Sequence, residues 1–250
     1  MRNLHVLCTG LVFTLLFSFT VSSQQNSYKK GTIIVNQKKS IDAFIEVDFR
    51  LPQRFQSSIT YVSPENYEKL QRGEKIKGKS KKTMKPKDII GFDLDDGTSF
   101  RTVSYTDMSS NSSVGPMPIK LCLQRVVDGK IDLYKMFSAT TGNVSHDIKS
   151  VMNLSEVEDD DNILIDYVQD NFQLLVQKNE GTVKNLMSVS LLNYFGDNSK
   201  VKENYIENQY GFRDEFNQQS NSPIVNHNLE AALLRLLNDY ESVDSGQLTK

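Results

Sequence analysis

Apolar and polar residues alternate with period two along much of the chain from 30 to 177, the spacing of strands that bury one face. The clearest run is Ile41, Ala43, Ile45, Val47 and Phe49, interleaved with Asp42, Phe44, Glu46 and Asp48. Residues 32–35 read as its partner strand, with the polar link 36–40 closing a hairpin. Phe92 and Phe100 flank Asp95-Asp96-Gly97. A two-residue turn at Asp96-Gly97 would set Phe92 against Arg101. A three-residue loop with Gly97 left-handed sets Phe92 against Phe100, and the aromatic pair, worth up to about 1 kcal/mol, favours it. Residues 119–137 form a further hairpin turning at Asp128-Gly129, with Leu123 opposite Tyr134, Leu121 opposite Met136 and Arg125 opposite Asp132. A last hairpin is expected to turn near Asp170-Asn171, with Tyr167 opposite Leu174 and Ile165 opposite Val176. Ser63-Pro64-Glu65 opens a short helix: serine caps, proline suits the first helical position and glutamate complements the positive end. Tyr67 and Leu70 share its face, and Gly73 can end it.

Beyond about 181 the apolar period becomes helical. Thr182 can cap a helix carrying Val183, Leu186, Met187, Leu191, Tyr194 and Phe195 on one stripe, ended by Gly196. Asp197 is expected to cap a second helix with Val201, Tyr205 and Ile206 inward. After Pro223, Asn226 or Asn228 caps a third, with Leu229, Leu233, Leu236, Leu237 and Tyr240 as its stripe. The expected fold class is α+β. An antiparallel β-rich body of about nine strands, a sheet or small barrel over 24–177, precedes a helical segment of about three helices over 178–250. That segment packs on the body or forms a small subdomain.

The first 23 residues read as a secretory signal peptide and not as part of the fold. Arg2 gives a positive start, residues 6–19 are largely apolar, and Ser22 and Ser23 suit cleavage after either. The run is short for a spanning helix of about 20 residues, so no transmembrane span is expected in the mature chain. Removing 23 of the 250 residues leaves 227 with Cys122 as the one cysteine, hence no internal disulfide. It also removes Arg2 and takes the formal charge from −2 to −3. That near-balance excludes a globally basic nucleic-acid binder.

Charge is nevertheless segregated. Arg72, Lys75, Lys77, Lys79, Lys81, Lys82, Lys85 and Lys87 face only Glu74 in their stretch, a net of +7. Such a run suits an anionic polymer or lipid headgroups, but it also describes a solvated, mobile loop. No aromatic residue is interleaved, so base stacking is not expected. Glu156 to Asp161 is an acidic run without metal-ligand spacing. Asp93, Asp95, Asp96 and Gly97 fail as a calcium loop. With Gly97 at the sixth position, Phe92 and Val103 would hold the first and twelfth, which must be ligands. His146 and His227 lie in no metal-pair spacing, and a dyad of Cys122 with a histidine is conceivable only across long sequence separations. No catalytic, cofactor or metal residue is assigned. Asn111, Asn143 and Asn153 begin glycosylation triplets that matter only in a eukaryotic secretory pathway.

Four segments resemble uncharacterised exported proteins of the Bacteroidetes type. They are the opening strand at Lys30-Gly31-Thr32-Ile33, the proline, Asp-Ile and Gly-Phe segment from Met84 to Phe92, the hairpin from Asp128 to Tyr134, and Tyr194-Phe195-Gly196-Asp197. The stretch from Gly142 to Asn162 departs from that pattern. The resemblance implies a periplasmic or cell-envelope protein of β-plus-α build and transfers no catalytic residue. The expectation is an exported, envelope-associated binding or structural module without catalysis. Its partner would be an envelope protein or an anionic polymer or lipid surface, not nucleic acid. The alternative is a small hydrolase acting on an envelope polymer through paired carboxylates.

Overall fold

The computed structural model describes residues 27–106, 117–140, 161–219, 225 and 227–245. The leader, the three glycosylation triplets, His146 and residues 156–160 of the acidic run lie outside them. Tyr28–Asn36 (β1) and Lys39–Glu46 (β2) form the first hairpin, with Ile33 opposite Ile41 and Gly31 opposite Ala43. Pro52–Ser57 (α1) leads to Ile59–Val62 (β3), and Pro64–Gln71 (α2) to Lys82–Met84 (β4). Gly91–Leu94 (β5) and Ser99–Tyr105 (β6) then pair, followed by Ile119–Val127 (β7) and Ile131–Phe137 (β8). Asp161–Asp170 (α3), Phe172–Lys178 (β9) and Lys184–Asn185 (β10) complete the sheet region. Leu192–Phe195 (α4), Ser199–Ile206 (α5), Phe212–Gln218 (α6) and His227–Ser245 (α7) follow. The architecture is α+β: a ten-stranded antiparallel sheet in the order β10-β9-β8-β7-β6-β5-β1-β2-β3-β4, with helices after it.

The described chain therefore enters the sheet at β1, inside it, builds one edge at β4, then returns to β5 on the far side of β1. On a flat sheet that return spans four strand spacings, roughly 19 Å. The link 85–90 has few residues for it and holds a 3-10 turn at Pro86–Asp88, whose Pro86 carbonyl accepts from Thr102 Oγ1 of β6 at 3.0 Å. The sheet must therefore curl, bringing β4 round toward β6. At the other end Val183 makes a parallel bridge to Tyr105 of β6, so that end curls too.

Alternation decides the two faces. Ile33, Ala43, Ile45, Ile59, Phe92, Phe100, Leu133, Phe172, Leu174 and Val176 point into the main core. The helices enter the same core through Phe55 of α1, Phe195, Val201, Phe212 and the α7 stripe Leu229, Leu233, Leu236, Leu237 and Tyr240. Leu123, Tyr134 and Leu175 join Val103, Tyr105 and Val183 in a second cluster on the opposite face. Gln56 of α1, only 3% exposed, reaches the backbone of β8. Its amide donates to the Phe137 carbonyl at 2.7 Å and accepts from the Phe137 N–H at 3.0 Å. Beyond Lys135, β7 no longer pairs with β8, and the Gln56 side chain supplies the strand contacts that β7 leaves unmade there.

Several expectations hold. Phe92 lies opposite Phe100, their rings stacked with centroids 4.5 Å apart, and Gly97 has φ +88°. Ser63 caps α2 by accepting from the Asn66 N–H. Other expectations are corrected. The hairpin at 128–129 has Gln124 opposite Lys135 and Arg125 opposite Tyr134, two residues away from the expected register. An irregularity between Arg125 and Val127 widens the turn, and Arg125 pairs with Asp128 at 2.6 Å instead of with Asp132. Because the slip is two residues, Leu123 and Tyr134 keep the same face. Residues 161–170 are helix, not strand: Leu164, Ile165 and Val168 share one helical face, and Asn171 Nδ2 caps the end on the Tyr167 carbonyl at 2.6 Å. The expected helix from Thr182 is broken. Lys184 and Asn185 pair with Val176 and Leu175 of β9, a 3-10 turn follows at Leu186–Ser188, and only α4 is helical. Asn198, not Asp197, caps α5, and Ile206 is 52% exposed. Asn228 lies inside α7 rather than at its cap, while Asn226 is outside the described residues.

Candidate functional site

The basic run passes along a sheet edge, with Lys82 on β4, Lys79 and Lys87 in 3-10 turns and the other cations in the connecting segments. It leaves α2 at Arg72, which pairs with Glu74 at 2.6 Å. After a 3-10 turn at Gly78–Ser80, β4 lies against β3 with Lys82 opposite Tyr61, Thr83 opposite Thr60 and Met84 opposite Ile59. Met84 packs on the core, and buried Pro86 and Ile89 anchor the far end. All eight predicted cations are exposed. Lys81 is the one tied to the body: its ammonium stands 5.7 Å from the Tyr28 ring centre, and a hydrogen bond with the Tyr28 hydroxyl raises its pKa. Among the described residues Lys75, Lys77, Lys79, Lys82, Lys85 and Lys87 have no carboxylate partner. β4 is last in the strand order, and these exposed ammonium groups lie on it and on the segments before and after it.

Paired carboxylates need a cleft. Glu46 and Asp48 share one of about 100 Å³ with Arg54 and Ser58. Burial pushes the Asp48 carboxyl up, but hydrogen bonds from the Arg50 backbone N–H and guanidinium outweigh it and hold the group below its ordinary value. A general acid in glycoside hydrolysis requires the opposite shift. The aspartates of the 95–97 turn and Asp93 of β5 are likewise paired: Asp95 with Lys30 at 2.8 Å, Asp96 with Lys29 at 3.1 Å, and Asp93 with Arg101 at 2.6 Å. No group of three or more metal-ligating side chains suited to a metal ion occurs among the described residues. Cys122 is buried beside Thr102, and burial pushes its thiol up to about 11. That makes it a poor nucleophile. His227, the one described histidine, contacts Asp170 and Glu230, not Cys122.

Two polar clusters were not foreseen. Lys135 of β8 pairs with Glu230 of α7 at 2.7 Å, their side chains 15% and 11% exposed. The Lys135 ammonium also lies 4.0 Å from the Phe172 ring centre. Glu230 stands 3.5 Å from His227 Nδ1, and Asp170 Oδ1 3.0 Å from His227 Nε2, so the four groups form a continuous polar chain from β8 to α3. Lys135 shares the inward parity of Leu133 and Phe137. A charge in that position calls for a buried partner, although nothing in sequence says where the partner lies. The second cluster is Lys178, which donates to the Tyr194 carbonyl and to Asp197 Oδ2 (2.8 Å) and lies 5.5 Å from the Tyr240 ring centre.

Comparison with family models, with curated proteins and with solved structures gives no match. No helix among the described residues is long and apolar enough to cross a membrane.

Proposed function

We propose that the protein is an exported, envelope-associated binding module without catalysis, and that its β4 rim is the surface through which it meets an anionic partner. The observation that carries the reading is the set of exposed lysines on that rim without carboxylate partners. The leader supports export. The hydrolase alternative draws less support, because Asp48 is clamped by Arg50 in its charged form.

The test is binding to vesicles containing anionic phosphatidylglycerol and, separately, to polyphosphate, across a salt series. Each lysine near an anionic surface contributes about 1 kcal/mol. Replacing Lys77, Lys79, Lys82 and Lys85 together by Gln is therefore expected to weaken binding by roughly a thousandfold. Binding by the native protein should also fall steeply as salt shortens the screening length. Salt-insensitive binding, or a four-lysine variant that binds as the native protein does, overturns the role of the rim. N-terminal sequencing of native material that begins at Met1 overturns export.

A further inference from the structure

The sheet's other edge carries a different feature. Where β9 turns into β10, a cleft of about 410 Å³ opens between the turn and the segment leading into α4. That volume is in the range of small-ligand sites. Its polar lining comes from Lys178, Thr182, Lys184, Ser188, Ser190 and Asn193, and no carboxylate is among the lining residues.

The roles of these groups differ. Lys178 is already engaged by Tyr194 and Asp197, so it contributes a fixed wall and little net charge. Lys184 is exposed and has no carboxylate partner among the described residues, leaving its ammonium for a ligand. Ser188 donates to the Asn185 carbonyl at 2.8 Å and keeps its acceptor lone pairs. The side chains of Thr182, Ser190 and Asn193 have no partner among the described residues and offer both donors and acceptors. The backbone at the rim is held in an uncommon state: Asn179 and Glu180 both have positive φ, +49° and +58°. Both lie in the tight hairpin turn closed by the Gly181 N–H on the Lys178 carbonyl at 2.9 Å, which fixes that wall of the cleft.

Among the described lining residues, one ammonium without a carboxylate partner, several hydroxyl and amide groups and no acid match a ligand with one anionic group and many hydroxyls. We propose that this cleft binds an acidic monosaccharide, with its phosphate or carboxylate at Lys184 and its hydroxyls at Thr182, Ser190 and Asn193. This site lies at the opposite edge of the sheet from β4 and stands independently of the rim.

The experiment is a titration of the native protein, followed by backbone amide shifts and calorimetry. One arm uses the 6-phosphates of glucose, galactose and mannose, and a second the corresponding uronic acids; the arms separate the two sources of charge. The neutral sugars and inorganic phosphate are the controls. Saturable binding by at least one acidic sugar is expected, with shifts confined to residues 178–194 and at least tenfold weaker binding of both controls. Lys184→Gln should weaken that binding about tenfold, as expected for a lost charged hydrogen bond. Asn193→Ala should weaken the acidic and neutral sugars alike, and the four-lysine rim variant should bind as the native protein does. No saturable binding in either arm, inorganic phosphate binding as tightly as the sugar phosphates, or an unaffected Lys184→Gln variant overturns the proposal.

Discussion

At single positions, backbone proximity and charge pairing set the tolerances. Gly91 sits between Ile34 of β1 and Arg101 of β6. A Cβ there would lie 2.1 Å from the Phe100 carbonyl oxygen, which is backbone and cannot swing aside. Gly91→Ala is therefore expected to cost about 2–3 kcal/mol or more, read as a lower urea midpoint at unchanged slope. Asp93 illustrates the pH behaviour. Burial pushes its carboxyl up, but hydrogen bonds from Arg101 and Ser99 outweigh that and hold it below the ordinary aspartate value. A folded pKa below the unfolded one gives stability that is present above about pH 3.9 and is lost as pH falls through the folded value. Asp93→Asn should lower stability at pH 7 and flatten its fall below about pH 4, measured by urea unfolding across pH. An unchanged acid limb would contradict the pairing.

Among elements, turns and ion pairs set the outcome. Glu180 in a left-handed conformation costs about 1 kcal/mol that glycine does not. Glu180→Gly is expected to raise the thermal midpoint, and a drop would show that the side chain supports the turn. The Lys135–Glu230 pair ties α7 to β8 in a largely dry setting. Glu230→Leu alone strands the ammonium and should cost about 3–5 kcal/mol, whereas Lys135→Met with Glu230→Leu should return to within about 1 kcal/mol of the native protein or exceed it. Legibility followed the range of the interaction. The β1–β2 and β5–β6 hairpins and the α7 stripe were readable, because alternation, turn chemistry and the 3.6 period are written within a dozen residues. Residues 161–170 misled because Ile163, Ile165 and Tyr167 alternate like a strand, while Leu164, Ile165 and Val168 equally suit a helix face; tertiary packing chose. The break after Thr182 was hidden for a similar reason, since pairing of Lys184 and Asn185 with β9 overrides local helical spacing. Of the site, the cations of the β4 rim were legible as a charge run. The place of Lys82 on a sheet edge was not, and neither were the Lys178–Asp197 and Lys135–Glu230 contacts, because those depend on partners outside the local pattern.

For the whole molecule, one core joins the sheet to the helices, so the two regions are expected to melt together. The seam at α1 gives that coupling a handle. Gln56 stands in for a missing strand at Phe137, and it does so only because an amide both gives and takes a proton bridge. A carboxylate can take but not give, whereas a carboxylic acid can do both. Gln56→Glu would thus make the protein weaker in neutral buffer, by about 1–3 kcal/mol for the orphaned carbonyl, and would restore it on acidification. A natural seam indifferent to pH would become one that loosens at neutral pH and heals in acid.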